Sequence, residues 1–182
     1  LLIGDGNYTE KSLAQNNCKL TYKASDKEWE SFLMKFIDKM GFDYTIEYDK
    51  NEDCARFHFH KSFNPFIEKY SLLPKKSPEK TIGLINLNRG KDFLAGIIDG
   101  LFSTDGNVSL ESENPLIRFA TSNKELAREL RAALLLFGIH SKIYGYDRES
   151  HYIKKRLIKA NGKAYTLMVN GLGIEKFIET FK

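Results

Sequence analysis

Two stretches of the chain carry apolar residues at the three- and four-residue spacing that is typical of an amphipathic helix. They are residues 29–40 and 126–137, and they have the same length. Each follows a pair of polar residues able to cap a helix N-terminus, and each precedes a glycine that can end the helix. The capping pairs are Ser25 with Asp26 and Ser122 with Asn123, and the glycines are Gly41 and Gly138. The pattern predicts two equivalent helices, one in each half of the chain.

Apolar and polar residues alternate in several shorter segments, which is the pattern of β-strands with one buried face. Phe57 and Phe59 alternate with Arg56, His58 and His60. We therefore expect the two aromatic rings in the core and the three basic side chains on the open face. The predicted strands are residues 18–24, 44–48, 54–60, 107–111, 116–121, 141–148 and 163–170.

The two halves of the chain resemble each other in sequence as well as in pattern. Residues 24–28 (ASDKE) match residues 121–125 (TSNKE), which lie 97 positions further on. Several such matches in one common order indicate a duplicated unit. We therefore predict an α+β protein of two pseudo-symmetric αββαββα repeats, at residues 1–73 and 91–182. A linker at 74–90, with the prolines and glycine of a connector, joins them.

The most informative segment is an apolar helix that ends on a carboxylate. Residues 93–106 form a helical pattern with Gly96 and Gly100 four residues apart, and Asp105 stands at its end. A negative charge at a helix C-terminus opposes the helix dipole, and a bound divalent cation would offset that cost. The alternative interpretation is an ordinary Asp-Gly turn into the next strand. The start of the chain repeats the arrangement with Asp5, which favours a metal ion held by both carboxylates.

These stretches resemble the two signature motifs of the LAGLIDADG homing endonucleases, most closely those embedded in inteins. Residues 98–106 correspond to the second motif and residues 1–6 to the end of the first. The resemblance implies that paired motif helices pack the two repeats together, and that each repeat has a saddle-shaped antiparallel sheet that lies in the DNA major groove. It also implies a monomer that makes a double-strand break with short 3′ overhangs in a long, asymmetric DNA target.

The resemblance also implies the chemistry of the site. Asp5 and Asp105 are the expected catalytic residues and metal ligands, with the carbonyls of Gly4 and Thr104 as further ligands. The expected cofactor is Mg²⁺, with Mn²⁺ or Ca²⁺ as substitutes, because hard cations prefer oxygen ligands. Such ions lower the pKa of a bound water and stabilise the leaving 3′ oxygen.

The family often has a lysine near the scissile phosphate, in a Lys-x-Ile-Pro pattern before the second motif. Here Lys80 begins the similar sequence KTIG, in which Gly83 replaces the proline. Lys80 is therefore the expected catalytic lysine, which would stabilise charge in the transition state. Lys75 and Lys76 are alternatives, and so is a solvated linker lysine without a role. The second-half counterpart would fall near Lys182 or beyond it.

Binding to double-stranded DNA should come from the outward residues of the strands and from a basic loop between the last two strands. Arginine and lysine reach base edges and phosphates when a β-ribbon enters the major groove. Any one of these residues could equally be a solvated residue of a strand face. The expected DNA-binding residues are Lys19, Lys23, Arg56, His58, His60, Arg118, Lys142, Tyr144, Tyr146, Arg148, Lys154, Lys155, Arg156, Lys163 and Tyr165.

Composition is compatible with this interpretation without deciding it. Lys and Arg number 28 against 24 Asp and Glu, a net charge of +4. No apolar run approaches the length needed to cross a bilayer. Cys18 and Cys54 make no disulfide framework, which favours an intracellular protein, cytoplasmic or nucleoid-associated. A zinc site that joins them to His58 and His60 is not favoured, because the two histidines are neighbours on one strand face.

Two other functions remain open from the sequence. One is a LAGLIDADG fold that has lost cleavage and serves as a DNA-binding regulator or an RNA maturase; the presence of both Asp5 and Asp105 speaks against it. The other is a structural part of a larger protein, in which the aspartates only end helices. The sequence shows no splicing motifs, so an intein origin would make this chain the nuclease portion of a larger host protein.

Overall fold

Hydrophobic and polar residues sort onto opposite faces of the strands, as the alternation predicts. Phe57 and Phe59 are buried, whereas Arg56 and His58 on the same strand are partly exposed. The chain divides into two units, Leu1–Lys76 and Ser77–Lys182. The computed structural model describes residues 6–7, 18–70, 79–110, 115–148, 150–153, 156–158 and 162–181, with the backbone alone at 6–7, 151–153 and 156–158.

The first unit is an antiparallel sheet with helices that join its core. Its strands follow the order β1-β2-β4-β3. Leu33 and Ile37 of the long helix share one core with Leu20 and Phe57 of the sheet. The elements are β1 (Gly6–Asn7), β2 (Cys18–Tyr22), α1 (Lys27–Met40), β3 (Tyr44–Tyr48), β4 (Ala55–Phe59), a 3₁₀ turn (Lys61–Phe63) and α2 (Asn64–Lys69).

The second unit repeats this plan with the strand order β5-β6-β10-β7. Its elements are α3 (Leu84–Leu87), α4 (Lys91–Asp105), β5 (Gly106–Ser109), β6 (Leu116–Thr121), α5 (Lys124–Leu136), β7 (Ser141–Asp147), β8 (His151–Ile153), β9 (Arg156–Ile158), β10 (Lys163–Val169) and α6 (Leu172–Thr180). Helix α5 packs on the sheet, and α4 packs against α5, β5 and β6. The same strand order in both units confirms the α+β fold with two antiparallel sheets. None of the helices in the described part of the chain is long and apolar enough to cross a bilayer.

Two segments differ from the sequence prediction. The basic segment between β7 and β10 contains a two-stranded hairpin, β8 with β9, where a loop was expected. Residues 79–90 of the predicted linker group with the second unit and contain α3. The elements in these segments are only three or four residues long, which is too short for a helical or alternating period to be recognised in the sequence.

The N-termini of α1 and α5 are capped at equivalent positions, 97 residues apart. The Asp26 carboxylate accepts a hydrogen bond from Trp29 N at 3.1 Å. Asn123 Oδ1 accepts hydrogen bonds from the backbone N–H groups of Glu125 (2.8 Å) and Leu126 (3.3 Å). Of the predicted pair in the first unit, Ser25 is not the cap, because its hydroxyl donates instead to Asp53 Oδ2 at 2.6 Å.

A buried carboxylate organises one end of the first unit. Glu30 accepts hydrogen bonds from the Tyr22 hydroxyl (2.5 Å) and the Tyr48 hydroxyl (2.9 Å), and Lys27 Nζ lies 3.1 Å away. The bond from Tyr22, with those from Lys27 and Tyr48, holds the pKa of Glu30 below its ordinary value, although burial opposes this. Burial and the same bond raise the pKa of Tyr22. The charged form of Glu30 is therefore the form that stabilises the fold.

We expect this network to make the first unit less stable in acid. Because the folded-state pKa of Glu30 is depressed, its contribution is present above the ordinary value of 4.5 and is lost as the pH falls through the folded-state pKa. Trp29 packs 5.3 Å from the Tyr22 ring, and it is the single tryptophan of the chain. Urea unfolding followed by its fluorescence at pH 7, 5, 4 and 3 measures the effect.

Glu30→Gln is the control for this prediction. It removes the titrating group and should flatten the pH dependence between pH 5 and 3 relative to the unchanged protein. Asp49 and Asp53 also have lowered pKa values and remain in both proteins, so the difference between the two curves belongs to Glu30. Parallel curves for the two proteins would contradict the assignment.

Candidate functional site

Helix α4 delivers Asp105 to the point where the second sheet begins. The helix ends at Asp105, which is exposed, and the Gly106 N–H still donates to the Phe102 carbonyl as strand β5 starts. Thr104 is held by its hydroxyl, which donates to Leu101 O at 3.0 Å. The last carbonyls of a helix have no partner within it. The helix end therefore gathers oxygen ligands, the donor type that Mg²⁺ and Ca²⁺ prefer.

The turn from α4 into β5 requires glycine. A Cβ on Gly106 would lie 2.6 Å from Phe102 Cα and closer still to the Phe102 carbonyl oxygen. No side chain fits at these distances unless the backbone moves. Gly106 thus allows the chain to leave the helix immediately after Asp105.

We expect Gly106→Ala to destabilise the second unit by about 1–3 kcal/mol, because the clash involves backbone that cannot yield. Gly96→Ala on the same helix is the matched control, since nothing lies within 4 Å of a Cβ there. Alanine is the better helix former, so Gly96→Ala should raise stability by about 0.5–1 kcal/mol. Thermal unfolding by circular dichroism compares them. Equal midpoints for the two variants would show that the turn tolerates a side chain.

Both units begin their first strand in the same register. Gly6 pairs with Leu20 and Asn7 with Lys19, as Gly106 pairs with Phe119 and Asn107 with Arg118. A glycine and an asparagine therefore follow the motif aspartate in each repeat, opposite an apolar and then a basic residue. Asp5 and Gly4 lie outside the described residues. Among the described side chains, no three His, Cys, Asp or Glu residues cluster as a metal site.

The segment that carries Lys80 is buried and anchored. Lys80 is 6% exposed, which rules out a freely solvated linker lysine. Asn123 Nδ2 donates to the Lys80 carbonyl at 2.6 Å, and Glu129 accepts from Ile82 N at 2.7 Å and from Gly83 N at 3.2 Å. Gly83 has φ +82°, which proline cannot adopt. The alternatives Lys75 and Lys76, and also Lys182, lie outside the described residues.

The open face of the first sheet carries basic residues that are partly neutralised. Lys19 lies opposite His58, and Thr21 lies opposite Arg56. His58 Nε2 is 2.8 Å from Glu47 Oε2, and Arg56 Nη2 is 3.6 Å from Asp49 Oδ2. Lys23 and His60, just beyond the ends of β2 and β4, are exposed.

On the open face of the second sheet, the described basic residues have no acid within ion-pair distance. Register places Asn107, Arg118, Met168 and Lys142 in one row across the four strands. Within the described part of the chain, Arg118 and Lys142 form no ion pair. Tyr144 and Tyr146 continue the same face of β7, and Arg148, just beyond that strand, is exposed.

The predicted orientation of Lys163 and Tyr165 is wrong. They lie opposite Asp147 and Gly145, on the face that β10 shares with its buried residues Leu167 and Val169. The Tyr165 ring covers Gly145, whose Cβ would lie 3.2 Å from Tyr165 Cε1. Leu167 and Val169 are buried on this face, but Ala164 on the other face is buried as well. The start of β10 therefore does not show the regular alternation from which the inward face could be predicted. Lys154 and Lys155, and the side chain of Arg156, lie outside the described residues.

The family of the chain follows from its second unit. Residues 92–182, half of the chain, match the LAGLIDADG-like domain. The chain belongs to the LAGLIDADG family. The match begins within α4, the helix that carries Asp105.

Solved structures of LAGLIDADG proteins share the fold of the whole chain. Variants of the homing endonuclease I-DmoI match it with a TM-score of 0.67 at 16% identity, over 100% of this chain and 90% of that one. I-DmoI in complex with DNA and Ca matches with a TM-score of 0.62 at 17% identity, over 91% and 75%. The N-terminal LAGLIDADG domain of DUF199/WhiA matches with a TM-score of 0.56 at 11% identity, over 99% and 77%. At these identities the likeness concerns the fold.

Related sequences lie within much longer proteins. A DNA polymerase of Thermococcus hydrothermalis is 28% identical over 156 residues, which are 85% of this chain and 9% of the polymerase. The RNA polymerase subunit Rpo1C of Methanocaldococcus jannaschii is 32% identical over 107 residues, which are 58% of this chain and 12% of the subunit. The LAGLIDADG chain thus spans about a tenth of the length of these relatives.

Proposed function

We propose that this LAGLIDADG chain is a site-specific, metal-dependent DNA endonuclease that makes a double-strand break in a long, asymmetric target. The observation that carries the proposal is the position of Asp105. The motif helix ends on this carboxylate, Gly106 makes the tight exit possible, and the sheet with its basic open face begins at the next residue. A residue at this junction can reach the backbone of DNA that contacts the sheet.

The residues present fit a divalent cation. Asp105 with Asp5, and the carbonyls of Thr104 and Gly4, would hold Mg²⁺, because all of these ligands are hard oxygens. When bound, the cation lowers the pKa of a water molecule and stabilises the leaving 3′ oxygen. Lys80 would add positive charge beside the phosphate. I-DmoI, which shares the fold, has been solved with DNA and Ca, and this supports a divalent metal and DNA as ligands.

The two sheets would bind DNA through their open faces. A β-ribbon fits the major groove, where arginine and lysine contact guanine edges and phosphates. Two units that dock in successive grooves would read an asymmetric site of roughly two helical turns. The basic segment around the β8–β9 hairpin would supply phosphate contacts.

The origin of the chain is part of the proposal. The relatives that it matches within long polymerases support a nuclease portion of an intein or of another larger host protein. Such a portion would act inside the cell on chromosomal DNA. It would act as a monomer, because the two repeats of one chain would supply the two strand cuts of a double-strand break.

The experiment that tests this function is cleavage of a plasmid library of randomised sites in Mg²⁺, with EDTA as the metal-free control. A double-strand break at one sequence, lost in EDTA, supports the nuclease. Binding of one sequence without cleavage in Mg²⁺ or Mn²⁺ would favour the alternative, a DNA-binding regulator or RNA maturase. Absence of both specific binding and cleavage would reject the proposal and favour a structural role.

The different charge environments of the two sheets give a prediction for binding. Arg118→Ala should weaken DNA binding by about tenfold and reduce the salt dependence of log Kd by about one. Arg56→Ala should cost less, because Asp49 at 3.6 Å already neutralises part of its charge. Fluorescence anisotropy with a labelled duplex at 50–300 mM salt compares the variants. A larger loss for Arg56→Ala would contradict the expected order.

A further inference from the structure

A buried carboxylate holds the segment that carries Lys80. Glu129 of α5 is 8% exposed, and its two oxygens accept the backbone N–H groups of Ile82 and Gly83. No basic side chain in the described part of the chain lies within ion-pair distance of it. A buried carboxylate is costly unless hydrogen bonds satisfy it. The N–H groups of Ile82 and Gly83 therefore satisfy the Glu129 carboxylate. We call Glu129 with these two groups the clamp.

Two further hydrogen bonds hold the backbone of the same segment, at the Lys80 and Ile82 carbonyls. Asn123, which caps α5 through Oδ1, donates through Nδ2 to the Lys80 carbonyl at 2.6 Å. Asn86 Nδ2 donates to the Ile82 carbonyl at 2.7 Å. The Ile82 side chain is almost fully buried. Three buried side chains thus fix the backbone from Lys80 to Gly83.

Helix α5 also supports the helix that ends on Asp105. α4 packs against α5, and both pack on the second sheet. Helix α5 therefore contacts both α4, which ends on Asp105, and the segment that contains Lys80. Any shift of the 80–83 backbone relative to α5 changes the position of Lys80 relative to Asp105.

We infer that Glu129 is a positioning residue for Lys80, an inference that rests on the proposed nuclease function. The internal repeat shows that the helix itself does not need this carboxylate. The equivalent position of α1, 97 residues earlier, is Phe32, which is 62% exposed. The carboxylate of Glu129 is found only in the second of these two equivalent helices, and it binds the backbone of the segment that contains Lys80. Its role is to fix where the ammonium group stands when DNA is bound.

The test compares Glu129→Gln with Glu125→Gln, an exposed glutamate one turn earlier on the same helix that pairs with Arg128. Single-turnover cleavage at saturating DNA should slow by about 10- to 100-fold for Glu129→Gln, while Kd for DNA changes by less than about threefold. Glu125→Gln should change neither. Glu129→Asp, which keeps the charge on a shorter side chain, should recover part of the rate.

A double-mutant cycle separates positioning from a general loss of structure. In a Lys80→Ala background, Glu129→Gln should have little further effect on the rate, because the group that it positions is gone. Additive losses in the double variant would overturn the inference, as would an unchanged rate in Glu129→Gln. A parallel rise of Kd and fall in rate would indicate a structural role instead.

Hydrogen exchange keeps this test independent of the proposed function. The amides of Ile82 and Gly83 should exchange at least about tenfold faster in Glu129→Gln than in the unchanged chain, because the carboxylate that protects them is altered. If the chain cleaves no DNA and these amides still lose protection, the nuclease proposal fails and the anchoring stands. If protection is unchanged, the anchoring role is wrong whatever the activity.

Discussion

Replacing Asp105 by asparagine should abolish DNA cleavage while leaving the protein folded and able to bind DNA. The amide keeps the shape of the side chain but loses the charge that attracts a divalent cation, and we expect the cleavage rate to fall by about 10³-fold. Asp105 stands at the C-terminus of α4, where a negative charge opposes the helix dipole. Its removal should therefore raise stability by about 0.3–1 kcal/mol. Removal of a negative charge near phosphates should also leave DNA binding equal or tighter.

Asp92→Asn is the matched control at the opposite end of the same helix. Asp92 lies in the first turn of α4, where its charge is favourable. The same substitution there should cost about 0.3–1 kcal/mol of stability and leave cleavage unchanged. Cleavage assays in Mg²⁺, thermal unfolding and DNA binding on both variants separate catalysis from folding. Retained cleavage in Asp105→Asn would falsify its role as a metal ligand.

Much of the fold was predictable because the same pattern of capping residues, apolar helix positions and glycine stops occurs in both halves of the chain. The similar segments ASDKE and TSNKE, 97 positions apart, predicted two equivalent helices. Helices α1 and α5 do begin within these segments. Phe57 and Phe59 alternate with basic residues, and burial follows that alternation. Asp105 was singled out because a carboxylate at a helix C-terminus conflicts with the dipole, and such local conflicts are expected at functional sites.

The errors have a common physical origin in long-range contacts. The face of the sheet on which Lys163 and Tyr165 lie is set by which residues of β10 pack against α5. The sequence at the exposed end of the strand does not reveal that face. Ser25 and Asp26 are equally good caps in sequence, and the choice between them is made by Asp53, 28 residues away. Local sequence patterns, such as the two-residue alternation of a strand, do not reveal contacts between residues so far apart in the chain.

Glu129 was missed for the same reason, although the sequence contained a signal. The apolar face of α5 surrounds position 129, and the equivalent residue of α1 is apolar, so a glutamate there breaks the repeat. Its partners are backbone N–H groups 46 and 47 residues earlier, which no side-chain pattern reveals. Comparison of the two repeats position by position would have marked the residue as an exception.

The departure from the Lys-x-Ile-Pro pattern leads to the second large effect. Restoring the proline with Gly83→Pro should destabilise the second unit by about 3 kcal/mol or more, although the change makes the sequence more like the family pattern. The proline ring cannot adopt φ +82°, and the substitution deletes the N–H that donates to Glu129 Oε1 at 3.2 Å. The buried carboxylate would then keep one oxygen without its partner, which is costly. Cleavage should fall along with stability, because the Lys80 segment loses its anchor.

Gly83→Ala separates these two causes. Alanine keeps the N–H, and its Cβ would meet nothing closer than Asn86 Nδ2 at 3.8 Å, so only the left-handed backbone is strained. That strain should cost about 1–2 kcal/mol, clearly less than the proline. Thermal unfolding by circular dichroism and hydrogen exchange of the Ile82 amide on both variants measure the difference. If the two variants were equally stable, strain alone would account for the loss, and the bond from Gly83 to Glu129 would contribute nothing. The gap between them combines the lost N–H with the inability of the proline ring to adopt φ +82°, and exchange of the Ile82 amide reports separately on the anchor to Glu129.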